Sequence, residues 1–137
     1  MSPLRIQCLV LDSHDASGLA RFWSQVLGWR VTYEDSRQSV VEPAEGTPEV
    51  DVSPDLLFVK VAADKVLKNR LHLDLRPVDQ AAEVGRLIDL GARRASIGQS
   101  DGASWVVLAD PEGNEFCVLS PLEEDEEGVV PAINLTH

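Results

Sequence analysis

The chain has 137 residues, of which 44% are hydrophobic and 26% charged, so it is long enough for one globular domain with its own core. Its formal net charge of −11 argues against nucleic acid and anionic membrane surfaces as partners, because both attract basic proteins. No segment reaches the about 20 apolar residues of a membrane span, and no secretory signal is recognisable, so the cytoplasm is the expected location.

The first half of the chain predicts the element order β-α-β-β-β. A helix is expected over 19–27, because its apolar residues recur at intervals of three and four; Asp15 is the N-cap candidate and Gly28 ends it. Residues 44–55 form a loop rich in proline, glycine and acidic residues. The strands are expected at 4–12, 29–34, 38–43 and 56–62.

The second half predicts the same order. A helix is expected over 79–91, with Asp79 as its N-cap and Gly91 at its end. The sequence "DPEG" at 110–113 has the composition of a turn, with proline at its second position and glycine at its fourth. The strands are expected at 70–76, 92–96, 104–110 and 115–121.

The two halves also correspond residue by residue at a nearly constant spacing. Gln7 matches His72, 65 residues later, and Gly28 matches Gly91, 63 residues later. Equal element order at a constant spacing indicates a duplicated module. The sequence therefore predicts two βαβββ modules.

Alternation along the predicted strand 70–76 assigns its side chains to two faces. Leu71, Leu73 and Leu75 share one face, which we expect the helices to cover. His72 and Asp74 share the opposite face. An apolar strand with polar side chains on one face suits a sheet that is covered on one side and holds a ligand on the other, and we call this second face the cup.

By the repeat, Gln7 is expected on the cup face of the first strand. Alternation then places Leu9 and Leu11 beside it and turns Cys8 under a helix. Without an export signal, the chain's two cysteines are expected to be reduced thiols.

In the last strand, the larger apolar pair Phe116 and Val118 is expected in the core, which assigns Cys117 to the cup. Trp105 begins the preceding strand beside the loop "DGAS" and is a candidate for the mouth of the cup. No basic residue is a sequence neighbour of Cys117, so nothing in the sequence indicates an activated nucleophile.

Three segments together resemble the vicinal oxygen chelate superfamily and, within it, the glyoxalase-like domains grouped with bleomycin-resistance proteins. They are "LARFWSQVLGW" (19–29), "KNRLHLDL" (68–75) and "WVVLADPEGNEFCVL" (105–119). The resemblance covers residues 4–121. It implies an α+β fold in which two βαβββ modules, at about 4–62 and 69–121, form an eight-stranded curved sheet with a cleft. It also implies a homodimer, and it leaves 122–137 as an acidic C-terminal tail.

The resemblance further implies a divalent metal held by one side chain from the first and last strand of each module. Carried over, the four positions are Gln7, Val59, His72 and Cys117. A valine cannot coordinate a metal, and a thiol is an unusual ligand for metals that prefer oxygen. His72 and Gln7 are the only credible metal ligands, the set is incomplete, and no cofactor is assigned.

The role of His72 stays open between three alternatives. It is a metal ligand, a general acid or base, or a hydrogen-bonding residue in a polar pocket wall. Asp74 is a candidate to orient its imidazole, but neighbours on one strand face stand roughly 6.5–7 Å apart, so the two side chains must lean together.

Two classes of function follow. The first is a metal-independent protein that binds a small organic molecule in its cup through Gln7, Val59, His72, Asp74, Trp105 and Cys117. The second is an enzyme, a lyase, isomerase or dioxygenase that uses His72 as metal ligand or general base. The valine at a ligand position favours the first class.

Overall fold

The computed structural model of the protein describes residues 2–96, 98 and 102–122. The acidic run 123–127 and the rest of the predicted tail lie outside the described residues. The chain divides into two compact units, Met1–Asp64 and Lys65–His137. Within the described ranges, no helix is both long and apolar enough to cross a membrane.

The first unit contains one helix and a four-stranded sheet. Its sheet has the order β1-β4-β3-β2, in which β1 and β4 run parallel and the other neighbours antiparallel. β1 begins only at Cys8, later than predicted. The elements are β1 (Cys8–Ser13), α1 (Ala16–Leu27), β2 (Arg30–Glu34), β3 (Gln38–Glu42) and β4 (Asp55–Lys60).

Helix α1 begins and ends where the sequence predicts. The Asp15 side chain accepts a hydrogen bond from the backbone N–H of Gly18 at 3.0 Å, which satisfies one of the donors that the first turn leaves free. Gly28 ends the helix in the left-handed conformation at φ 67°. Phe22 and Trp23 lie on the buried face and pack edge to face, with ring centroids 5.5 Å apart.

The register of β1 corrects the predicted orientation of its side chains. Leu56 and Phe58 of β4 are buried under α1, and they pair with Leu9 and Leu11. Since paired residues of neighbouring strands share a face, Leu9 and Leu11 lie on the covered side and Cys8 on the opposite one. The predicted orientation is wrong because every residue from 8 to 11 is apolar, so alternation gives no signal there.

The second unit repeats the arrangement with shorter strands. Its sheet has the order β5-β8-β7-β6, again with a parallel pair, β5 and β8. The α+β class and the two βαβββ modules are thus confirmed. Hydrogen bonds join the strands of each module into a four-stranded sheet. The elements are β5 (Asp74–Leu75), α2 (Gln80–Leu90), β6 (Arg93–Arg94), β7 (Val106–Ala109) and β8 (Glu115–Val118).

The predicted strand 70–76 is wrong in its length. Only Asp74 and Leu75 form β5, and Leu71 is 70% exposed where a covered face was expected. The backbone carbonyls of Leu73 and Leu75 accept hydrogen bonds from the N–H groups of Cys117 in β8 and of Leu119 just after it, at 2.9 and 2.8 Å. The register pairs with β8 are Asp74 and Leu75.

Two features of the second unit follow the prediction. Asp79 caps α2 by accepting from the backbone N–H of Ala82 at 3.1 Å. The turn between β7 and β8 is built on Asp110, whose side chain is fully buried and accepts from the backbone N–H groups of Glu112 and Asn114 at 3.0 and 2.9 Å. This turn fixes where β8 begins.

Candidate functional site

The second unit brings three of the predicted site residues together. Asp74 of β5 is the register partner of Cys117 of β8, so both side chains share one face of the sheet. His72 stands two residues before Asp74. One ligand atom from each of the three lies within 4.8 Å of the other two. We call this group the His–Asp–Cys cluster.

The imidazole of His72 contacts the carboxylate of Asp74, with 3.2 Å between Nε2 and Oδ1. A quarter of each side chain is exposed to solvent. The contact forms because β5 starts at Asp74. His72 lies before the strand, so the regular alternation of side chains does not fix its ring, which turns towards Asp74. The two side chains therefore lean together, and Asp74 contacts the imidazole of His72.

Cys117 is completely buried and neutral. Burial raises the pKa of its thiol to about 12, together with the negative charge of Asp74 and the hydrogen bond that the thiol donates to that carboxylate; the charge of Lys68 opposes the shift. Since only the thiolate is a strong nucleophile, Cys117 is not an activated nucleophile in this environment. Asp74 thus stands between a thiol and an imidazole.

An acidic residue that sequence analysis did not assign holds the segment before His72. Glu115 accepts from Lys65 Nζ at 2.8 Å and from the backbone N–H of Asn69 at 3.0 Å. Burial raises the pKa of this carboxyl, but these hydrogen bonds and the charge of Lys65 outweigh it and lower the pKa. The signal in the sequence is that Glu115 stands two positions before Cys117, which puts both on one strand face.

Apolar side chains surround the thiol. Val107 of β7 pairs with Cys117 and is buried with Leu119, while Ala95 and Trp105 pack against them from partly buried positions. Trp105, predicted at the mouth of the cup, therefore packs against the apolar group formed by Val107, Cys117 and Leu119. The sheet face of this unit combines an apolar wall around the thiol with the polar pair of His72 and Asp74, and Glu115 lies on the same strand face.

The two site residues predicted in the first unit have other surroundings. The Gln7 side chain donates to Asp55 Oδ2 at 3.0 Å and accepts from Arg5 at 2.9 Å. It lines a cavity of about 400 Å³ with Arg30 and the segment 50–55, which the sequence gave no reason to expect. Val59 lies half-buried in β4.

The donors present do not fit the metal set that the resemblance implies. The amide oxygen of Gln7 is engaged by Arg5, Val59 offers no donor atom, and Cys117 supplies a protonated thiol. Hard divalent cations prefer several oxygen ligands. The residues at the four family positions therefore do not form such a site.

Comparison with known proteins identifies the family. A protein-family model described as a glyoxalase-like domain matches residues 8–119. No curated protein sequence matches the chain. Among solved structures, a glyoxalase-related enzyme from Fulvimarina pelagi is similar, with 15% identity and a TM-score of 0.62, covering 95% of this chain and 99% of that one.

Two further structures have the same fold. One is a glyoxalase/bleomycin resistance protein/dioxygenase family enzyme from Burkholderia phytofirmans PsJN, at 17% identity and a TM-score of 0.60, covering 85% of this chain and 98% of that one. The other is the bleomycin-binding protein of bleomycin-producing Streptomyces verticillus, at 17% identity and a TM-score of 0.56, covering 88% and 98%. Such identities show the fold alone. The family model spans most of the chain, and the protein belongs to the glyoxalase-like domain family.

Proposed function

We propose that the protein binds a small organic molecule on the sheet face of its second unit, beside the His–Asp–Cys cluster. The observation that carries the proposal is the contact between His72 and Asp74, a partly exposed polar pair beside the apolar side chains that surround Cys117. Small-molecule sites typically combine a mostly apolar wall with a few placed polar groups.

The structural neighbours support the same class of function. One was solved as a bleomycin-binding protein in complex with copper(II)-bleomycin, and another is a bleomycin resistance determinant encoded on the transposon Tn5, at 19% identity and a TM-score of 0.54. The first name describes binding of an organic compound, and the second describes resistance to the same compound. The fold is thus compatible with binding of a small molecule.

The chemistry of the face indicates what kind of ligand it takes. His72 and Asp74 offer a nitrogen and a carboxylate oxygen to a polar edge, while the indole of Trp105 offers an aromatic surface. The best match is a planar aromatic compound with hydrogen-bonding groups along one edge. Binding of this kind does not require a metal.

A ligand screen on the metal-free full chain tests the proposal. Planar aromatic compounds should raise the melting temperature of EDTA-treated protein, because a ligand that binds only the folded state stabilises it. Calorimetry of a hit should give an affinity that falls at least tenfold in His72→Ala and in Trp105→Ala. His14→Ala is the matched control, since His14 pairs with Asp64 in the first unit. Equal affinity in His72→Ala and the parent would contradict the proposal.

The same contact favours an enzyme as the second candidate. A carboxylate that accepts from one imidazole nitrogen fixes the tautomer, so the other nitrogen carries the lone pair that takes a proton. His72 would then be the general base of a lyase, isomerase or dioxygenase. If a bound compound is converted, Asp74→Asn should lower kcat more than it raises KM; a compound that binds and is recovered unchanged supports the binding function alone.

We infer three further properties from the family resemblance and the composition. They are a homodimer, a cytoplasmic location, and a single domain over 4–121 followed by an acidic tail. Light scattering of the purified chain at several concentrations tests the first, and limited proteolysis tests the last, because cleavage of the tail should leave a stable fragment that ends near residue 121.

A further inference from the structure

We propose that residues 65–71 of the second unit are a docking surface for this chain's own residues 123–137. We call 65–71 the basic–apolar segment, because it presents positive charge and apolar side chains together. Its apolar members are Val66, Leu67 and Leu71, which are exposed to 86, 81 and 70%. Apolar groups that stand together at the surface indicate a place where another segment binds.

The charge of this surface is opposite to that of the chain as a whole. The chain has 12 basic and 23 acidic residues, but residues 65–71 contain two lysines, one arginine and no acidic residue. Lys65 is paired with Glu115. Within the part of the chain that the structure describes, neither Lys68 nor Arg70 forms an ion pair with a carboxylate. An occupant of this surface must therefore supply negative charge as well as apolar groups.

Residues 123–137 have this composition in their sequence. The run "EEDEE" at 123–127 is five acidic residues, and "VVPAINL" at 129–135 is mostly apolar. Opposite charges at a protein surface attract over a distance of about 10 Å at 0.1 M ionic strength. The acidic run therefore matches Lys68 and Arg70, and the apolar run matches Val66, Leu67 and Leu71.

Two hydrogen bonds show that the distance to be covered is short. Glu115, where β8 begins, accepts from the backbone N–H of Asn69 at 3.0 Å, so this end of β8 lies beside the basic–apolar segment. At the other end, Arg76 Nη1 donates to the carbonyl of Ser120 at 2.7 Å. The five residue steps from Glu115 to Ser120 correspond to roughly 17 Å of extended chain.

The acidic run is long enough to cover that distance. The described chain ends at Leu122, which is exposed, and residues 123–127 span roughly 17 Å when extended. Five carboxylates then lie between Arg76 and Arg70, and residues 129–135 reach the basic–apolar segment. Exposed ion pairs are individually weak, but a tethered segment has an effective concentration in the millimolar range. Tethering therefore favours this chain's own segment over a free partner of the same chemistry.

Carbodiimide cross-linking of the full chain tests the proposal. This reagent joins a lysine amine to a carboxylate that touches it, and mass spectrometry identifies the linked peptides. Lys68 should be linked to residues 123–127, and the yield should fall at least fivefold between about 10 mM and about 0.5 M NaCl, because salt screens the attraction. Lys60 is the control, since it is an exposed lysine in β4 of the first unit, and its yield should be at least fivefold lower.

Variants separate the two parts of the match. Arg70→Glu should lower the yield at Lys68 at least fivefold, whereas Arg94→Glu, at an exposed arginine of β6, should leave it unchanged. Leu67→Ser should lower the yield at least twofold, and Val52→Ser is its control, because Val52 is 79% exposed in the first unit. All four positions are exposed, so these replacements leave the core intact.

Three outcomes would overturn the proposal. The first is no link between Lys68 and residues 123–127, and the second is an equal yield at Lys60, which would indicate random encounters. The third is a link that forms only between copies when ¹⁴N- and ¹⁵N-labelled protein are mixed, which would make a second copy the occupant. The experiment contains no ligand, so its result is independent of the proposed small-molecule binding.

Discussion

His72 and Asp74 are in contact, with Nε2 and Oδ1 3.2 Å apart, although one residue separates them in the chain. On a regular strand these side chains would stand roughly 6.5–7 Å apart. The contact exists because β5 begins at Asp74 and His72 lies in the irregular segment before it. The site therefore depends on what holds that segment against β8.

We predict that Glu115 supplies much of this restraint. Replacing it with alanine removes the acceptor for Lys65 Nζ and for the backbone N–H of Asn69. Hydrogen bonds to charged groups contribute about 1.5–3 kcal/mol, and partial exposure reduces the value here. The free energy of unfolding, measured by urea denaturation, should fall by about 1–2 kcal/mol.

The contribution of the Lys65–Glu115 ion pair can be measured apart from that of the hydrogen bond between Glu115 and the backbone of Asn69. Lys65→Met removes the ion pair together with the hydrogen bond from Lys65 Nζ to the Leu67 carbonyl. A double-mutant cycle with Glu115→Ala isolates the ion pair and should give a coupling energy of about 0.5–1 kcal/mol. Strictly additive losses would show that Lys65 and Glu115 act independently.

The order of helices and strands could be predicted from the sequence, because the local sequence signals agreed with one another. The apolar spacing in 19–27 and the residues Asp15, Gly28 and Asp79 each predicted a helix or its end, and the structure places them there. The size of Phe116 and Val118 also gave the right face of β8: both are buried, and Cys117 shares the opposite face with Asp74.

The length of β5 and the position of His72 could not be predicted, because they depend on contacts between residues far apart in the chain. Alternation in 70–76 predicted a full strand, but β8 pairs with only two of its residues. Glu115 is hydrogen-bonded to Asn69 and Lys65, which lie 46 and 50 positions before it in the chain. No local sequence pattern predicts these hydrogen bonds. Tertiary contacts of this kind override strand propensity, so the position of His72 could not be derived from its neighbours in sequence.

We predict that Asp110 is a major determinant of stability. Its buried carboxylate accepts from the backbone N–H groups of Glu112 and Asn114 and from the Asn114 side chain. Asp110→Ala leaves these donors unsatisfied and should cost about 3 kcal/mol of unfolding free energy. Asp110→Asn keeps one acceptor oxygen and should cost less. Asp89→Ala, at an exposed position of α2, is the control and should change stability by no more than about 0.5 kcal/mol.

Replacing each of two glycines with alanine should change the free energy of unfolding in opposite directions. Gly85 lies in α2, is exposed and has open space around an added Cβ, so Gly85→Ala should stabilise the protein by about 0.5–1 kcal/mol. Gly28 also has space, but its φ of 67° disfavours an L side chain, so Gly28→Ala should destabilise by about 1–2 kcal/mol. Thermal unfolding of both variants measures the difference, and shifts of the same sign would contradict the assigned backbone conformations.

The last prediction concerns Tyr33, the chain's single tyrosine. Its hydroxyl donates to Asp35 Oδ2 at 2.8 Å, and this hydrogen bond, the charge of Asp35 and slight burial raise the pKa of Tyr33 above 10.0. The protonated phenol is favoured in the folded state, so its contribution to stability is present below the unfolded pKa and is lost as pH rises through the folded value.

Tyrosinate absorbance measures this shift directly, because no second tyrosine contributes. In Asp35→Asn the midpoint should move down towards 10.0, since the neighbouring negative charge is removed. Asp35 also accepts from the backbone N–H groups of Arg37 and Gln38 in the β2–β3 turn, and an amide oxygen can replace those bonds. The exposed Asp51→Asn is the control. A midpoint that is the same in Asp35→Asn and in the parent would rule out the Tyr33–Asp35 hydrogen bond as the cause.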